Sequence, residues 1–224
     1  MKTTLVLLVM GLTWLSRAQK LPNISATPNH FRWSEREAHE LDYEHTIRTS
    51  PDLSSVDKTQ LTNAVLSRLK LDNAELLDDL TEVQLRNLVA DTRIELVDLN
   101  GDGKPEIIAQ ANGLGPCGGT GNCIFWIFQR TATGLKVILD TEDRSQVTFE
   151  KILVRPWSTN GYKDIVLGSH SNASSRGLTW FQYEDGIYRI HACYYLTWEG
   201  NDLQPLKSPM IWREKCSQLL GSVR

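Results

Sequence analysis

The chain has 224 residues, with 24 Lys and Arg against 27 Asp and Glu, a formal charge of −3 and 41% hydrophobic residues. So mildly acidic a balance offers no attraction for nucleic acid or anionic lipid, which excludes the function classes that rest on a basic surface. The length allows one good core, or a core with an appendage.

The opening "MKTTLVLLVMGLTWLSRAQK" has a charged Lys2, an apolar stretch from Leu5 to Leu15, and Ser16-Arg17-Ala18. These are the three regions of a secretory signal peptide over residues 1–18, with cleavage after Ala18. The apolar stretch is too short for a membrane anchor, which needs about 20 residues. No other segment is long and apolar enough to span. The expectation is an exported, soluble protein, secreted or periplasmic, without Lys2 and Arg17 and so at −5 rather than −3.

Residues 19–50 read as a polar arm with prolines at 22 and 28. A short helix over "SEREAHELDYEH" is compatible with Ser34 as cap and Glu37 at the reciprocal position. His30, His39 and His45 lie here, but "HELDYEH" is not H-E-x-x-H and its spacing turns the two histidines off a common helix face. Residues 51–91 form a helical segment of one or two helices. Val56, Leu61, Val65, Leu66 and Leu69 keep helical spacing, and Leu76, Leu77, Leu80, Leu85 and Leu88 repeat the device. Leucine stripes of this kind are packing surfaces.

From residue 92 the texture is that of strands, short, alternating and rich in β-branched and aromatic residues. Two stretches run in the same order, over 92–140 and 148–192, followed by a C-terminal tail. "NGDGKPEIIAQAN" and "STNGYKDIVLGSH" align at Gly103/Gly161, Glu106/Asp164 and Ile107/Ile165, with Trp126 near Trp180 and Gly134 near Gly186. This is the signature of an internal repeat of four-strand units. Cys117, Cys123, Cys193 and Cys216 make an even set suited to an oxidising compartment. Proximity alone favours Cys117–Cys123 and Cys193–Cys216 among the possible pairings. No C-x-x-C suggests a zinc site.

"DLNGDGKPEII", Asp98 to Ile108, gathers oxygen-bearing side chains at alternate positions on a glycine turn between two apolar runs. Calcium takes several hard oxygens at flexible angles, and alternate side chains plus a backbone carbonyl can surround it. An EF-hand does not fit, because its twelfth position is Ala109 where a bidentate glutamate is required. A plain hairpin turn remains the structural alternative. The loop and its flanking strands resemble the FG-GAP and VCBS calcium-binding repeats of integrin-like β-propellers. That resemblance makes Asp98, Asn100 and Asp102 side-chain ligands, Lys104 a carbonyl ligand and Glu106 the closing carboxylate, in a position where aspartate is usual. In the second unit Pro156, Ser158 and Asn160 stand at the ligand positions and only Asp164 keeps its charge, so that hairpin is expected without an ion. Two units fall short of the four to eight blades of a closed propeller.

Other chemistry is weaker. "GLGPCG" matches a dinucleotide fingerprint but leads into a strand rather than a helix. "GSHSN" lacks the second glycine of a nucleophile elbow. Ser169 and His170 point to opposite faces of a strand. Trp126 and Trp180 sit mid-strand, like core. The sequons at Asn23 and Asn172 matter only in a eukaryotic secretory route. The expected architecture is α+β, with N-terminal helices packed on antiparallel sheet built from two blade-like units. The expected function is that of a calcium-binding, non-enzymatic module with a protein or glycan partner. The alternatives are a hydrolase using acids such as Glu142, Asp143 and Asp185, or a carbohydrate-binding module.

Overall fold

The computed structural model describes residues 39–41, 43–72, 80–112, 117, 122–140, 151–172, 174–199, 205–214 and 216. The segment read as a signal peptide and most of the polar arm lie outside them, as do Glu142 and Asp143. The described residues form three layers: two helices, a five-stranded antiparallel sheet and a six-stranded antiparallel sheet.

Helix α1 spans Ser55–Asp72. Ser54 caps it, accepting from the Asp57 N–H at 3.0 Å while the Asp57 carboxylate accepts from the Ser54 N–H at 3.2 Å. Helix α2 spans Glu82–Ala90 behind a reciprocal cap between Thr81 and Gln84. Leu61, Val65, Leu66 and Leu69 of α1 and Leu85 and Val89 of α2 bury against the five-stranded sheet. Val56, expected in that stripe, is exposed. It precedes Leu61 by five residues, a rotation of about 140° off the buried face at 3.6 residues per turn. Leu76 and Leu77 lie outside the described residues.

The five-stranded sheet runs β2-β3-β4-β5-β6, with β2 at His45–Thr46, β3 at Arg93–Val97, β4 at Glu106–Gln110, β5 at Phe125–Thr131 and β6 at Gly134–Asp140. Alternation assigns its two faces. Ile107, Ala109, Trp126 and Phe128 meet the helices, while Ile108, Phe125 and Ile127 meet the second sheet. Covered on both sides, β4 is buried at every residue. This explains why Ile107, Ile108 and Ala109 run apolar without alternation between the buried polar ends Glu106 and Gln110.

The six-stranded sheet runs β1-β7-β8-β9-β10-β11. Strand β1 is His39–Glu40, β7 is Lys151–Thr159, β8 is Tyr162–Asn172, β9 is Ser175–Glu184, β10 is Ile187–Glu199 and β11 is Pro205–Glu214. Val154, Ile165, Leu167 and Phe181 face the first sheet. Leu153, Val166, Trp180 and Tyr194 line the opposite face.

Three features depart from the sequence reading. The chain over "HELDYEH" makes two edge strands, not a helix, one in each sheet. Between and after them Leu41 and Ile47 are buried, so pairing and burial hold a segment whose composition reads as a solvated arm. A strand, β11, also forms within the region read as a tail. Its Pro205 and Pro209 argue against a central strand, and the edge is where proline is tolerated. Finally, Trp126 pairs with Ala109 while Trp180 pairs with Val166. With Ile107 aligned to Ile165, Ala109 corresponds to Leu167, so the two tryptophans are one position out of register and sit on opposite faces of their sheets. Both are core residues, as expected. The disulfides are Cys117–Cys123 and Cys193–Cys216.

Candidate metal centre

The connection from β3 to β4 is an acidic loop, Asp98 to Pro105, closed by Glu106 at the start of β4. Gly101 and Gly103 take left-handed backbone conformations, with φ of 74° and 80°, that residues with a Cβ rarely adopt. Those two turns curl the chain so that its side chains accept from its own amides. Asp98 accepts from the Gly101 and Gly103 N–H groups at 2.7 and 3.1 Å through its two oxygens. Asn100 Oδ1 accepts from the Asp102 N–H at 2.9 Å, and Asp102 from the Lys104 N–H at 2.7 Å. Glu106 reaches back to accept from the Leu99 N–H at 2.9 Å. Four amide donors thus answer the loop's carboxylates locally, and a fifth is met by Asn100.

The Asn100 amide nitrogen joins the pieces, lying 3.3 Å from Asp102, 3.4 Å from Glu106 Oε1 and 3.1 Å from the Tyr162 hydroxyl. Tyr162 belongs to the other sheet. Its hydroxyl also accepts from Gln129 of β5, and its ring stacks on Tyr183 at 3.8 Å and meets Tyr188 edge-on. The neighbouring Lys163 donates its N–H to Leu99 O at 2.7 Å and its ammonium to Asp98 O at 3.1 Å. Arg130 holds the far end of the loop by donating to Pro105 O at 2.6 Å. The loop is therefore docked against the tip of the second sheet.

Electrostatics follow from that packing. Burial pushes the Glu106 carboxyl above the usual carboxylate range, and the charges of Asp102 and Asp98 add to the shift against the Leu99 N–H, which lowers it. Burial likewise raises the Tyr183 hydroxyl to about 12, with Tyr162 and Glu106 contributing. Tyr188 is raised further, by burial first and then by Glu106 and Asp164.

Of the residues singled out for metal binding, Asp98, Asn100, Asp102 and Glu106 share this one network, and Lys104 enters it through its N–H. Among the described residues no three His, Cys, Asp or Glu side chains gather closely enough to hold a metal ion by themselves. The donor set available in the loop is hard oxygen throughout, and a carboxylate oxygen that accepts one N–H keeps capacity for a further partner. The second hairpin has nothing comparable. Asn160 there donates to Tyr183 O at 2.8 Å, and Asp164, fully buried on the sheet's other face, accepts from Trp180 and Gln182.

Tyr162, Lys163, Gln129 and Arg130 were not singled out in the sequence as part of the site. The alignment of the two hairpins was the available signal, because it set the "TNGYK" turn beside the acidic loop. Of the acids considered for hydrolysis, Asp185 is an exposed turn residue with φ of 51°, lying 4.0 Å from Arg189. No described helix is long and apolar enough to cross a membrane. The chain matches no described protein family, characterised protein or solved structure.

Proposed function

We propose that the protein is an exported calcium-binding module without enzymatic activity, in which the ion stiffens the β3–β4 hairpin where it meets the second sheet. One observation carries this reading. The β7–β8 hairpin beside it makes the same connection with only Asn160 and Gly161, so the length and charge of the Asp98–Glu106 loop exceed what joining two strands requires. Asp98, Asn100, Asp102 and Glu106, with the Lys104 carbonyl, would hold the ion. Its charge would favour the ionised form of Glu106, which burial first and the charges of Asp102 and Asp98 next disfavour. Drawing the carboxylates together on binding is part of the proposal. Two disulfides accord with an oxidising compartment, and the N-terminal pattern with export.

The repeat belongs to the same proposal. Strands β3 to β6 and β7 to β10 are each consecutive antiparallel meanders, and Ile107↔Phe128 in one corresponds to Ile165↔Phe181 in the other. Aligned so, Ile107 turns to the helices and Ile165 to the first sheet, a head-to-tail stacking in which the helices take the place of a preceding unit. The partner is a protein or glycan. Terbium, a calcium surrogate that tyrosine can sensitise, tests the site through its neighbour Tyr162. Saturable luminescence, displaced by calcium and lost in Asp102→Ala, is the expected result. Luminescence equal in wild type and Asp102→Ala would place the ion elsewhere.

A further inference from the structure

Outside the loop, the helices and the turn after β2 border an open, shallow groove of about 360 Å³, within the size range of small-ligand sites. Buried Ile47 lies in it beside Arg48, Lys58, Arg86, Asn63 and Asn87, with no carboxylate among the described lining residues. In a chain of net charge −3, three cations around one groove run against the overall composition. The carboxylates that pair with them stand outside the lining. Asp91 takes Arg48 Nε at 3.1 Å and Glu82 takes Arg86 Nε at 3.0 Å, which fixes both guanidinium groups through their inner nitrogen. Lys58 donates to Arg48 O at 3.0 Å and is paired with no carboxylate of the described residues.

The asparagines sharpen the chemistry. Asn87 Oδ1 accepts from Arg48 at 3.4 Å and Asn63 Oδ1 from Arg86 at 3.4 Å. With both side-chain oxygens committed to guanidinium groups, each asparagine has its amide N–H pair left to offer. What the two arginines, the two asparagines and Lys58 present is donors and positive charge; Thr62 and Thr59, whose hydroxyl donates to Ser55 O at 2.9 Å, complete the polar lining. Such a lining selects a ligand that only accepts.

We propose that this groove binds a small oxyanion, the sulfate, phosphate or carboxylate group of a soluble ligand. The site is independent of the calcium reading. The test is amide NMR of the full chain titrated with sodium sulfate, sodium phosphate or sodium acetate, against sodium chloride at matched ionic strength. Saturable shifts confined to Arg48, Thr59, Thr62, Asn63 and Asn87 are expected with at least one oxyanion and not with chloride, and the three salts tell the acceptor groups apart. Lys58→Gln should weaken binding roughly tenfold, the scale of a lost charged hydrogen bond. Arg86→Gln, on the other helix, should do the same if the first variant folds poorly. Lys136→Gln, which removes an exposed cation on β6, should change nothing. Non-saturating shifts, shifts shared with chloride, or undiminished affinity in folded Lys58→Gln or Arg86→Gln would overturn the proposal.

Discussion

Two hairpins stand side by side at one end of this molecule and solve the same problem differently. The β7–β8 hairpin turns on Asn160 and Gly161, with φ of 50° and 85°, the two left-handed positions that a tight two-residue turn needs. The β3–β4 hairpin spends residues 98–105 and a buried glutamate on the same reversal, and uses its own amides to offset the charges it has gathered. A turn needs left-handed residues; it does not need carboxylates. The difference separates what strand connection demands from what the first hairpin adds, and that surplus is the ground for a metal site.

The comparison breaks most sharply at Asp98. Replacing it by alanine removes the acceptor of two loop amides as well as a proposed ligand. The unliganded fold should lose at most about 0.5–1.5 kcal/mol per hydrogen bond, since both amides are exposed to water, and its response to calcium should vanish. Denaturant unfolding with and without calcium checks both halves. A differently shaped loss is expected from Asn160→Ala. Alanine is disfavoured at a positive φ by about 1–2 kcal/mol, and the bond to Tyr183 O goes with the side chain. Here the loss should be the same with and without calcium, because this turn consists of Asn160 and Gly161 alone and lacks the proposed ligand set.

The smallest effect is a dependence on alkaline pH at the contact between the hairpins. The folded-state Tyr183 hydroxyl is raised to about 12 from 10.0, and Tyr188 is raised as well. For a group raised on folding, stability is fully present below the unfolded value and is lost as pH climbs through the folded one. Stability should therefore decline from pH 10 toward about 12, and Tyr183→Phe should soften the decline. Urea midpoints taken at intervals across that range measure it.

How much of this was legible in the sequence depends on where the determining contacts lie. The helices, β3 to β10 and the acidic loop announce themselves locally, through leucine spacing, alternation and the "DLNGDG" run. The edge strands β1 and β2 do not, since two-residue pairings leave no periodicity and depend on partners as distant as Val154 and Ile94. Strand β11 was hidden by prolines that only an edge position permits. The tryptophans misled because a one-residue offset in register is invisible in a list of similar residues, yet reverses the face each one occupies. At the site, the loop's own residues were readable in sequence order. Tyr162 and Lys163 were not, because they reach the loop from the other sheet.

The central claim is that the surplus charge of the β3–β4 loop exists to hold calcium. The direct measurement is a thermal melt of the protein in chelator and in millimolar calcium, with Asp102→Ala beside it. With affinity in the roughly 10⁻⁴–10⁻³ M range of extracellular modules, calcium should raise the wild-type melting temperature by mass action and leave Asp102→Ala unmoved. Identical wild-type melting temperatures in the two solutions would contradict the account and leave the loop as a long, self-satisfied turn.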